Sequence, residues 1–231
     1  MGKRIISRAR GAGGPRYRAP SHRYKGKPSY SFTVSAKIVD ILHDPARDSP
    51  LARILTKEGI EKFIIPAAGA RVGDEIYIKE GPTNSGNILP LSSIPKGSFV
   101  FAIENYPGSG PKLCKSAGTK AIVTGQETDK VILQMPSQQF KEFNPNCLAT
   151  IGVPAGGGRG DKLFVKAGQN FYLARARNKL WPRSSAVKMN PVDHPFGGHT
   201  KPGTPKTTPR GASPGAKVGS FGARRSGLRK K

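Results

Sequence analysis

The sequence beyond Trp181 cannot form a packed core by itself. Residues 182–231 carry eleven Lys or Arg against a single acid, Asp193, and glycine and proline recur throughout. Both residue types oppose helix formation and interrupt strand pairing. A segment with so few large apolar side chains cannot offset the entropy that it loses on ordering. It therefore needs a partner to hold it, and its charge predicts that this partner is a polyanion.

The charge of the whole chain supports the same expectation. Its 231 residues have a formal net charge of +25 at pH 7. Charges of one sign repel each other in a compact protein, so a counter-charge is normally present in use. Nucleic acid is the first candidate and an anionic membrane surface the second. The membrane is the weaker candidate because no apolar run approaches the roughly 20 residues of a spanning helix, so we expect no membrane partner.

The cysteines and histidines give no indication of a metal site. Cys114 and Cys147 form no CxxC pair, and the four histidines show no metal-ligand spacing relative to them. Two free thiols are the preferred interpretation over a zinc site or a disulfide. No apolar stretch follows the N-terminal charges, so a secretory signal is not expected and a cytoplasmic location is.

The N-terminal 30 residues resemble the end of the chain in charge but contain more rings. Residues 1–30 carry nine Lys or Arg and no acid. Tyr17, His22, Tyr24 and Tyr30 are interleaved with these cations. Rings can stack on bases or riboses while neighbouring cations contact phosphates. We therefore predict an RNA-binding arm over residues 1–30; a flexible tail without fixed contacts is the alternative.

The next section has the pattern of short strands. Phe32, Val34, Ala36 and Ile38 alternate with polar residues, which is typical of a half-buried strand. Further strands are predicted at 51–55, at 60–66 and after residue 74, with turns at 44–50 and 57–59. Short strands joined by turns predict a small barrel of the OB type over residues 31–96.

A second β unit follows. Strands are predicted at 99–103, 120–124, 131–135, 147–153 and 171–175, and residues 169–179 also show a weaker helical pattern. This arrangement predicts an SH3-like barrel over residues 97–180. The predicted fold class is therefore all-β: an arm at 1–30, two barrels at 31–96 and 97–180, and an irregular basic extension at 181–231.

The segment around Asp193 and His194 resembles a catalytic site at first sight. Asp193 precedes His194, and Ser184 and Ser185 are near in sequence, as in a hydrolytic triad. Adjacent residues rarely orient one another in that way, and no pair of oxyanion donors is evident, so we predict that the chain is not an enzyme. RNA contact is the favoured role of this segment, since imidazoles stack on bases and glycines allow close approach of the backbone.

The glycine-rich run at residues 155–162 resembles a phosphate-binding loop. Asp161 separates Gly160 from Lys162 and no helix follows, so the pattern of such loops is not met. We interpret the run as a flexible loop in which Arg159 and Lys162 are free to reach phosphate. No cofactor and no small-molecule substrate are expected.

Four segments together carry a family pattern: RAPSHRYK at residues 18–25, ARAR at 174–177, MNPVDHPFGG at 189–198 and ARRSG at 223–227. They resemble the universal large-subunit ribosomal protein of family two, and the resemblance extends over essentially the whole chain. The form is archaeal in type, because Phe196 follows Pro195 where the bacterial pattern has a second histidine. The family often carries a third glycine after Gly198, and here His199 follows directly.

The resemblance implies an OB barrel, an SH3-like barrel and two extensions that enter large-subunit rRNA. It implies other large-subunit proteins and, across the interface, the small subunit as further partners. It also implies a place in the ribosome, a role in subunit association and tRNA binding, and support of the peptidyl transferase region. His194 matches the family histidine linked to that region, where we expect it to organise RNA, and Mg²⁺ is expected to enter only through the rRNA.

The predicted rRNA-binding residues combine cationic, aromatic and amide side chains with the Gly/Pro segment around His194. Stacking is expected on Tyr17, Tyr24, Trp181, His194 and Phe196 in particular. The full set is Arg4, Arg8, Arg10, Arg16, Tyr17, Arg18, His22, Arg23, Tyr24, Lys25, Arg159, Arg175, Arg177, Trp181, Arg183, Lys188, Asn190, Asp193, His194, Pro195, Phe196, Gly197, Gly198, His199, Lys201, Lys206, Arg210, Lys217, Arg224, Arg225 and Arg229. The alternative function is a non-specific single-stranded nucleic-acid-binding OB protein, which would keep its affinity without the two ends.

Overall fold

The computed structural model describes residues 4–31, 35–198, 207–213 and 217–221. The chain forms two compact units. The central unit comprises residues 20–165, and the terminal unit combines residues 1–19 with residues 166–231. Residues 20–30 of the predicted arm thus belong to the central unit.

The first sheet of the central unit has four antiparallel strands: β1 (Ser35–Leu42), β2 (Leu51–Thr56), β3 (Glu61–Ile64) and β4 (Glu75–Tyr77), in the order β3-β2-β1-β4. The predicted alternation is confirmed over the described part of β1, where Ala36 and Ile38 are buried and Lys37 is exposed. Phe32 and Val34 lie outside the described residues. The predicted turn between β2 and β3 is also confirmed, with Gly59 at a φ of 78°.

The second sheet has six antiparallel strands: β5 (Ile88–Pro90), β6 (Phe99–Phe101), β7 (Ala121–Gln126), β8 (Val131–Gln134), β9 (Phe140–Phe143) and β10 (Leu148–Ile151), in the order β5-β10-β6-β7-β8-β9. Because β5 pairs with β10, the second sheet begins before the predicted boundary at residues 96 and 97. The strand β9 was not predicted from the sequence. Short 3₁₀ turns occur at Ser21–Arg23, Leu91–Ser93 and Arg159–Asp161.

Two apolar clusters form the core of the central unit, and the first also includes residues of the second sheet, such as Phe101. Ile38, Ile54 and Ile64 are at most 1 % exposed beneath the first sheet. Leu133 and Val123 are buried to the same degree beneath the second. Burying side chains of this size contributes about 1.5–3 kcal/mol each, so the two clusters stabilise the central unit. With its two antiparallel sheets and few helices, the chain has the all-β fold class that the sequence predicted.

Residues 25–26 are bound to the first sheet through one buried carboxylate. Asp44 is fully buried, and its oxygens accept hydrogen bonds from the Arg47 Nε at 2.7 Å and from the backbone N–H of Lys25 at 3.3 Å. The Arg47 guanidinium also donates to the Gly26 carbonyl at 3.0 Å. A Cβ at Gly26 would lie 2.5 Å from the Phe63 ring, so the backbone packs flat on that ring. This part of the arm therefore has fixed contacts.

The terminal unit contains less regular structure. Its elements are α1 (Ile6–Gly11), α2 (Ala167–Ala176) and a parallel pair of two-residue strands, β11 (Thr207–Thr208) and β12 (Ser220–Phe221), with 3₁₀ turns at Pro15–Tyr17 and Ala186–Lys188. Residues 171–175 are helical, so the strand predicted there is wrong and the weaker helical pattern was the better indication. Within the described ranges no helix has the length and apolar character to cross a membrane.

Candidate nucleic-acid interface

Positive charge is concentrated on the terminal unit. Residues 1–19 and 166–231 hold 21 of the 39 Lys and Arg and one of the 14 acids, which gives a net charge of +20. The central unit, although larger, has a net charge of +5. Four fifths of the excess positive charge therefore lies on a unit whose core is small. The sequence predicted positive charge at both ends of the chain, and both ends belong to this one unit.

Several cations of the central unit are already paired with acids. Lys130 contacts Glu142 at 2.9 Å, and Arg53 lies between Asp40 at 3.9 Å and Glu61 at 3.5 Å. Arg4, Arg10, Arg16, Arg175 and Arg183 of the terminal unit are instead exposed, and no carboxylate in the described ranges forms an ion pair with them. These side chains can neutralise external phosphates without first breaking an internal pair.

The remaining predicted cations of the terminal unit are also on its surface, apart from one. Arg177 is half-buried, and Arg18 donates through Nε to the Gly13 carbonyl. Arg8, Arg18, Lys188, Arg210 and Lys217 are exposed. The predicted residues His199, Lys201, Lys206, Arg224, Arg225 and Arg229 lie outside the described residues.

The segment around His194 is a compact turn closed by backbone hydrogen bonds. The Asn190 carbonyl accepts from the N–H groups of Asp193 at 3.0 Å and His194 at 3.2 Å. The Gly198 N–H donates to the Met189 carbonyl at 3.1 Å. Asn190 and Pro195 are exposed at its surface, whereas Asp193 and His194 are half-buried. The predicted residues of this segment are therefore brought together in one loop.

The tautomer of neutral His194 follows from one hydrogen bond. Its Nδ1 accepts the backbone N–H of Phe196 at 3.0 Å, so the ring hydrogen of the neutral form is on Nε2. In a hydrolytic triad Nδ1 would instead donate to a carboxylate. The arrangement does not support a triad with Asp193. It leaves an Nε2–H donor of the kind that contacts phosphate or base acceptors.

Phe196 has a packing role in place of the predicted stacking role. It is 8 % exposed and forms a small cluster with Ile5 and Val218, to which Ala186 and Val187 also contribute. Its ring centroid lies 5.1 Å from that of His194. A buried ring cannot offer a face to a base, so the prediction that Phe196 stacks on RNA is wrong for this conformation. Phe196 holds the His194 loop to the segment that precedes α1.

The other predicted rings divide between surface and core. Tyr17 and Trp181 of the terminal unit are half-buried. In the central unit Tyr24 is half-buried, and His22, Arg23 and Lys25 are exposed. Tyr30 is 8 % exposed and belongs to the core beneath the first sheet. The expectation that Tyr30 is available for stacking is wrong.

The glycine-rich loop has a fixed ion pair. Arg159 is paired with Asp48, so it is not free in the way that the sequence suggested. Lys162 is exposed. Contact of Arg159 with phosphate stays a prediction, and it would require exchange of the Asp48 carboxylate for the phosphate.

Asn178 was missed by the sequence analysis. With a φ of 52° it adopts the left-handed conformation and ends α2: its N–H donates to the Arg175 carbonyl, and the Lys179 N–H donates to the Ala174 carbonyl. Its side-chain Nδ2 donates to the Arg18 carbonyl at 2.8 Å and to the Pro15 carbonyl at 3.4 Å. An asparagine directly after a helical pattern is the signal that could have identified this helix end.

The first sheet offers little to a single-stranded nucleic acid. Its strands carry two aromatic residues in the described ranges, Phe63 and Tyr77, and both are half-buried. Gly26 packs on Phe63, and Gly81 lies against the Cβ of Tyr77. OB proteins that bind single strands present exposed rings on which bases stack, so this sheet does not favour the alternative function.

The cysteines are free thiols, as the sequence predicted. Burial raises the pKa of Cys114 to about 11, and burial together with the charge of Glu104 raises the pKa of Cys147. Both thiols therefore stay protonated and unreactive near neutral pH. In the described part of the chain no three His, Cys, Asp or Glu side chains are grouped as metal ligands.

Comparison with known families assigns both halves of the chain. Residues 2–78 match the sequence profile described as "Ribosomal Proteins L2, RNA binding N-terminal domain", and residues 84–216 match "Ribosomal Proteins L2, C-terminal domain". The chain belongs to the ribosomal protein L2 family. The first L2 match ends at residue 78, after β4, and the second begins at residue 84, before β5. This boundary agrees with the structure, in which β5 pairs within the second sheet.

Two relatives that match this chain over their full length are archaeal, in agreement with the archaeal type that the Pro195-Phe196 pair suggested. The "Large ribosomal subunit protein uL2" of Archaeoglobus fulgidus is 49 % identical over 237 residues and covers 100 % of both chains. The protein of the same name from Methanosphaerula palustris is 47 % identical over 239 residues, again with 100 % of each chain covered. Membership of the L2 family confirms the resemblance that the sequence showed. This family consists of ribosomal proteins and is not a family of enzymes.

Proposed function

We propose that this chain is a structural constituent of the large ribosomal subunit and that its terminal unit binds the large-subunit rRNA. The observation that carries the proposal is the charge of that unit, +20 with one acid, together with the exposed Arg4, Arg10, Arg16, Arg175 and Arg183, which form no ion pair with a carboxylate of the described residues. Only a polyanion supplies enough negative charge to balance it, and membership of the L2 family makes that polyanion rRNA.

The physical basis of binding is release of counterions. Each phosphate that a Lys or Arg neutralises frees a condensed cation, and this adds about 0.7–0.9 to the slope of log affinity against log salt. Specificity comes from RNA shape and from contacts of rings and amides with unpaired bases. The two sheets act as a support for residues 20–30 of the arm, which they hold through the fixed contacts of residues 25–26.

Finer roles follow from the family resemblance. We place the chain beside other large-subunit proteins and at the surface that faces the small subunit, in support of subunit association, tRNA binding and the peptidyl transferase region. The Nε2–H of His194, fixed by the bond from Phe196 to Nδ1, suits an RNA-organising role there. Magnesium enters with the rRNA.

The decisive experiment compares two sets of charge removal. The terminal-unit variant is Arg4→Gln/Arg10→Gln/Arg183→Gln, and the matched central-unit variant is Lys57→Gln/Lys96→Gln/Lys112→Gln; all six residues are exposed. Affinity for deproteinised large-subunit rRNA from the source cells is measured over a range of KCl at constant Mg²⁺. For the terminal-unit variant, the magnitude of the slope of log affinity against log salt concentration should fall by about 2, because three phosphate contacts are lost at about 0.7 each. For the central-unit variant this slope should equal that of the parent chain.

Equal slopes for the two variants would overturn the assignment of binding to the terminal unit. A tagged full-length chain that stays free of large subunits on a magnesium-containing gradient would overturn the function itself. The single-strand alternative predicts that poly(U) competes as well as rRNA at equal mass, whereas the proposed function predicts that binding survives an excess of poly(U). Substitutions serve better than truncation after residue 187, because truncation would also remove Phe196 and its cluster.

A further inference from the structure

The terminal unit contains a cavity beside the Pro15–Tyr17 turn and the end of α2. Its volume is about 430 Å³, within the range of roughly 300–1,000 Å³ that is usual for small-ligand sites. Three rings line it: Tyr17, Phe171 and Trp181. Phe171 is 41 % exposed, and the other two are half-buried. Rings around an open cavity provide faces on which another planar ring can stack.

The charge around this cavity has one sign. Arg16, Arg175 and Lys179 line it, and each is exposed. No carboxylate in the described ranges is paired with any of them. A planar ligand that also carries negative charge complements both the rings and the cations. Arginine additionally stacks on planar groups through its guanidinium face.

The rings lie on elements that are tied together. Tyr17 lies between Pro15 and Arg18, whose carbonyls accept the Asn178 side-chain amide, and Asn178 itself follows α2, which carries Phe171. Trp181 comes three residues after Asn178. One amide thus sets the distance between the N-terminal ring and the two later ones, so that the cavity exists before a ligand arrives.

We infer that this cavity receives one unpaired base of the rRNA. The base stacks among Tyr17, Phe171 and Trp181, and the phosphates on either side of it contact Arg16, Arg175 and Lys179. The base must be unpaired because neighbours cover both faces of a paired base and a cavity of this volume cannot admit a duplex. This inference rests on the proposed function and adds to it the class of RNA element that the terminal unit recognises.

The test removes rings without removing charge. Full-length Tyr17→Leu/Phe171→Leu is compared with the parent and with Tyr106→Leu, an exposed tyrosine of the central unit, for affinity to deproteinised large-subunit rRNA. Loss of the stacked base weakens binding by about 5- to 150-fold. The salt slope is unchanged because no cation is lost. Tyr17→Phe keeps the ring and stays within about twofold of the parent, which separates stacking from a general loss of folding.

A second readout locates the base directly. The protein–rRNA complex is irradiated with ultraviolet light, and the peptides are examined by mass spectrometry for a nucleotide joined to Tyr17, Phe171 or Trp181. An adduct at these positions is expected. Fluorescence of Trp181, the single tryptophan, should also be quenched on binding.

Three outcomes would overturn the inference. One is a double-leucine variant that binds as tightly as the parent, and another is equal loss in Tyr17→Phe and the leucine variant. The third is cross-linking of these rings in assembled subunits to a neighbouring protein with no nucleotide adduct. In each case the parent still binds rRNA, so the proposed function survives. A parent chain that does not bind rRNA overturns both.

Discussion

The Tyr30 hydroxyl lies 2.8 Å from the Thr150 hydroxyl, 120 residues further along the chain, and donates to the Ala102 carbonyl at 2.6 Å. Tyr30 comes from the end of the N-terminal arm, and Thr150 belongs to β10 of the second sheet. All three groups are buried. Burial also raises the pKa of the Tyr30 hydroxyl, so it remains a donor at any physiological pH. The arm is therefore anchored to the second sheet as well as packed on the first.

Tyr30→Phe should lower the free energy of unfolding of the central unit by about 1–3 kcal/mol, because it leaves the buried Ala102 carbonyl without its donor and the Thr150 hydroxyl without its partner. Thr150→Val should cost less, since the bond to Ala102 remains. Urea unfolding of both single variants and the double variant measures the coupling. Additive effects would show that the two hydroxyls do not interact.

Asp44 should make the stability of the central unit depend on pH. Burial by itself would raise the pKa of this carboxyl, but the hydrogen bonds from Arg47 and from two backbone N–H groups outweigh it and hold the pKa below its ordinary value. A depressed folded-state pKa contributes stability above the unfolded pKa of about 3.9, and this contribution is lost as pH falls through the folded value. Stability from this group is thus complete at neutral pH and fades below about pH 4.

The prediction is tested with Asp44→Asn. Urea unfolding at pH 7 should show a loss of about 1–3 kcal/mol, since a charged acceptor of buried donors is replaced by a neutral one. The difference from the parent should shrink as pH falls below about 4. Asp40→Asn, on the exposed end of an ion pair, should change stability by less than roughly 0.5 kcal/mol. A constant difference for Asp44→Asn from pH 7 to pH 3 would contradict the argument.

The sequence predicted those strands in which local pattern and tertiary environment agree. Ala36 and Ile38 alternate with exposed residues because one face of β1 covers the core, and Gly59 marks its turn by a φ that few other residues adopt. The strand β9 escaped because Phe143 is its one buried residue, so no alternation exists to detect. Phe171 and Tyr172 suggested a strand through their β propensity, yet both project from a helix.

The rings of the candidate site could not be sorted from sequence. Tyr30 and Phe196 sit among cations and glycines, as do Tyr17 and Trp181, and all four looked suited to stacking. Their difference depends on partners far away in the chain: Thr150 for Tyr30, and Ile5 for Phe196. Pattern within a window of residues carries no information about such contacts. The charge of the interface, by contrast, is a property of composition and was predicted.

The Phe196 cluster should couple the start of the chain to the His194 loop. Phe196→Ala removes a ring buried against Ile5 and should cost about 3 kcal/mol in local stability, the lower end for such a truncation because the cluster is small. Hydrogen exchange should then accelerate in both α1 and residues 194–198. Val192→Ala, at a residue 44 % exposed, is the matched control and should leave exchange unchanged. Faster exchange confined to the loop would show that Phe196 does not hold α1.

Gly197 should be required for the path of the His194 loop. A Cβ at this position would lie 2.5 Å from the Asn190 carbonyl oxygen and closer still to that of Met189, both of which are backbone atoms that cannot move without opening the turn. Gly197→Ala should therefore break the bond from the Gly198 N–H to Met189, release His194 from Phe196 and weaken rRNA binding at unchanged charge. Hydrogen exchange of residues 193–198 and rRNA affinity are the measurements.

Gly168→Ala is the control in the same unit. Its Cβ would meet nothing within 4 Å, and because Gly168 lies in α2, the substitution should stabilise the helix by about 0.5–1 kcal/mol. If Gly197→Ala had the hydrogen-exchange rates and the rRNA affinity of the parent chain, the turn would tolerate a side chain at this position, and the close approach of the backbone would not be needed for binding.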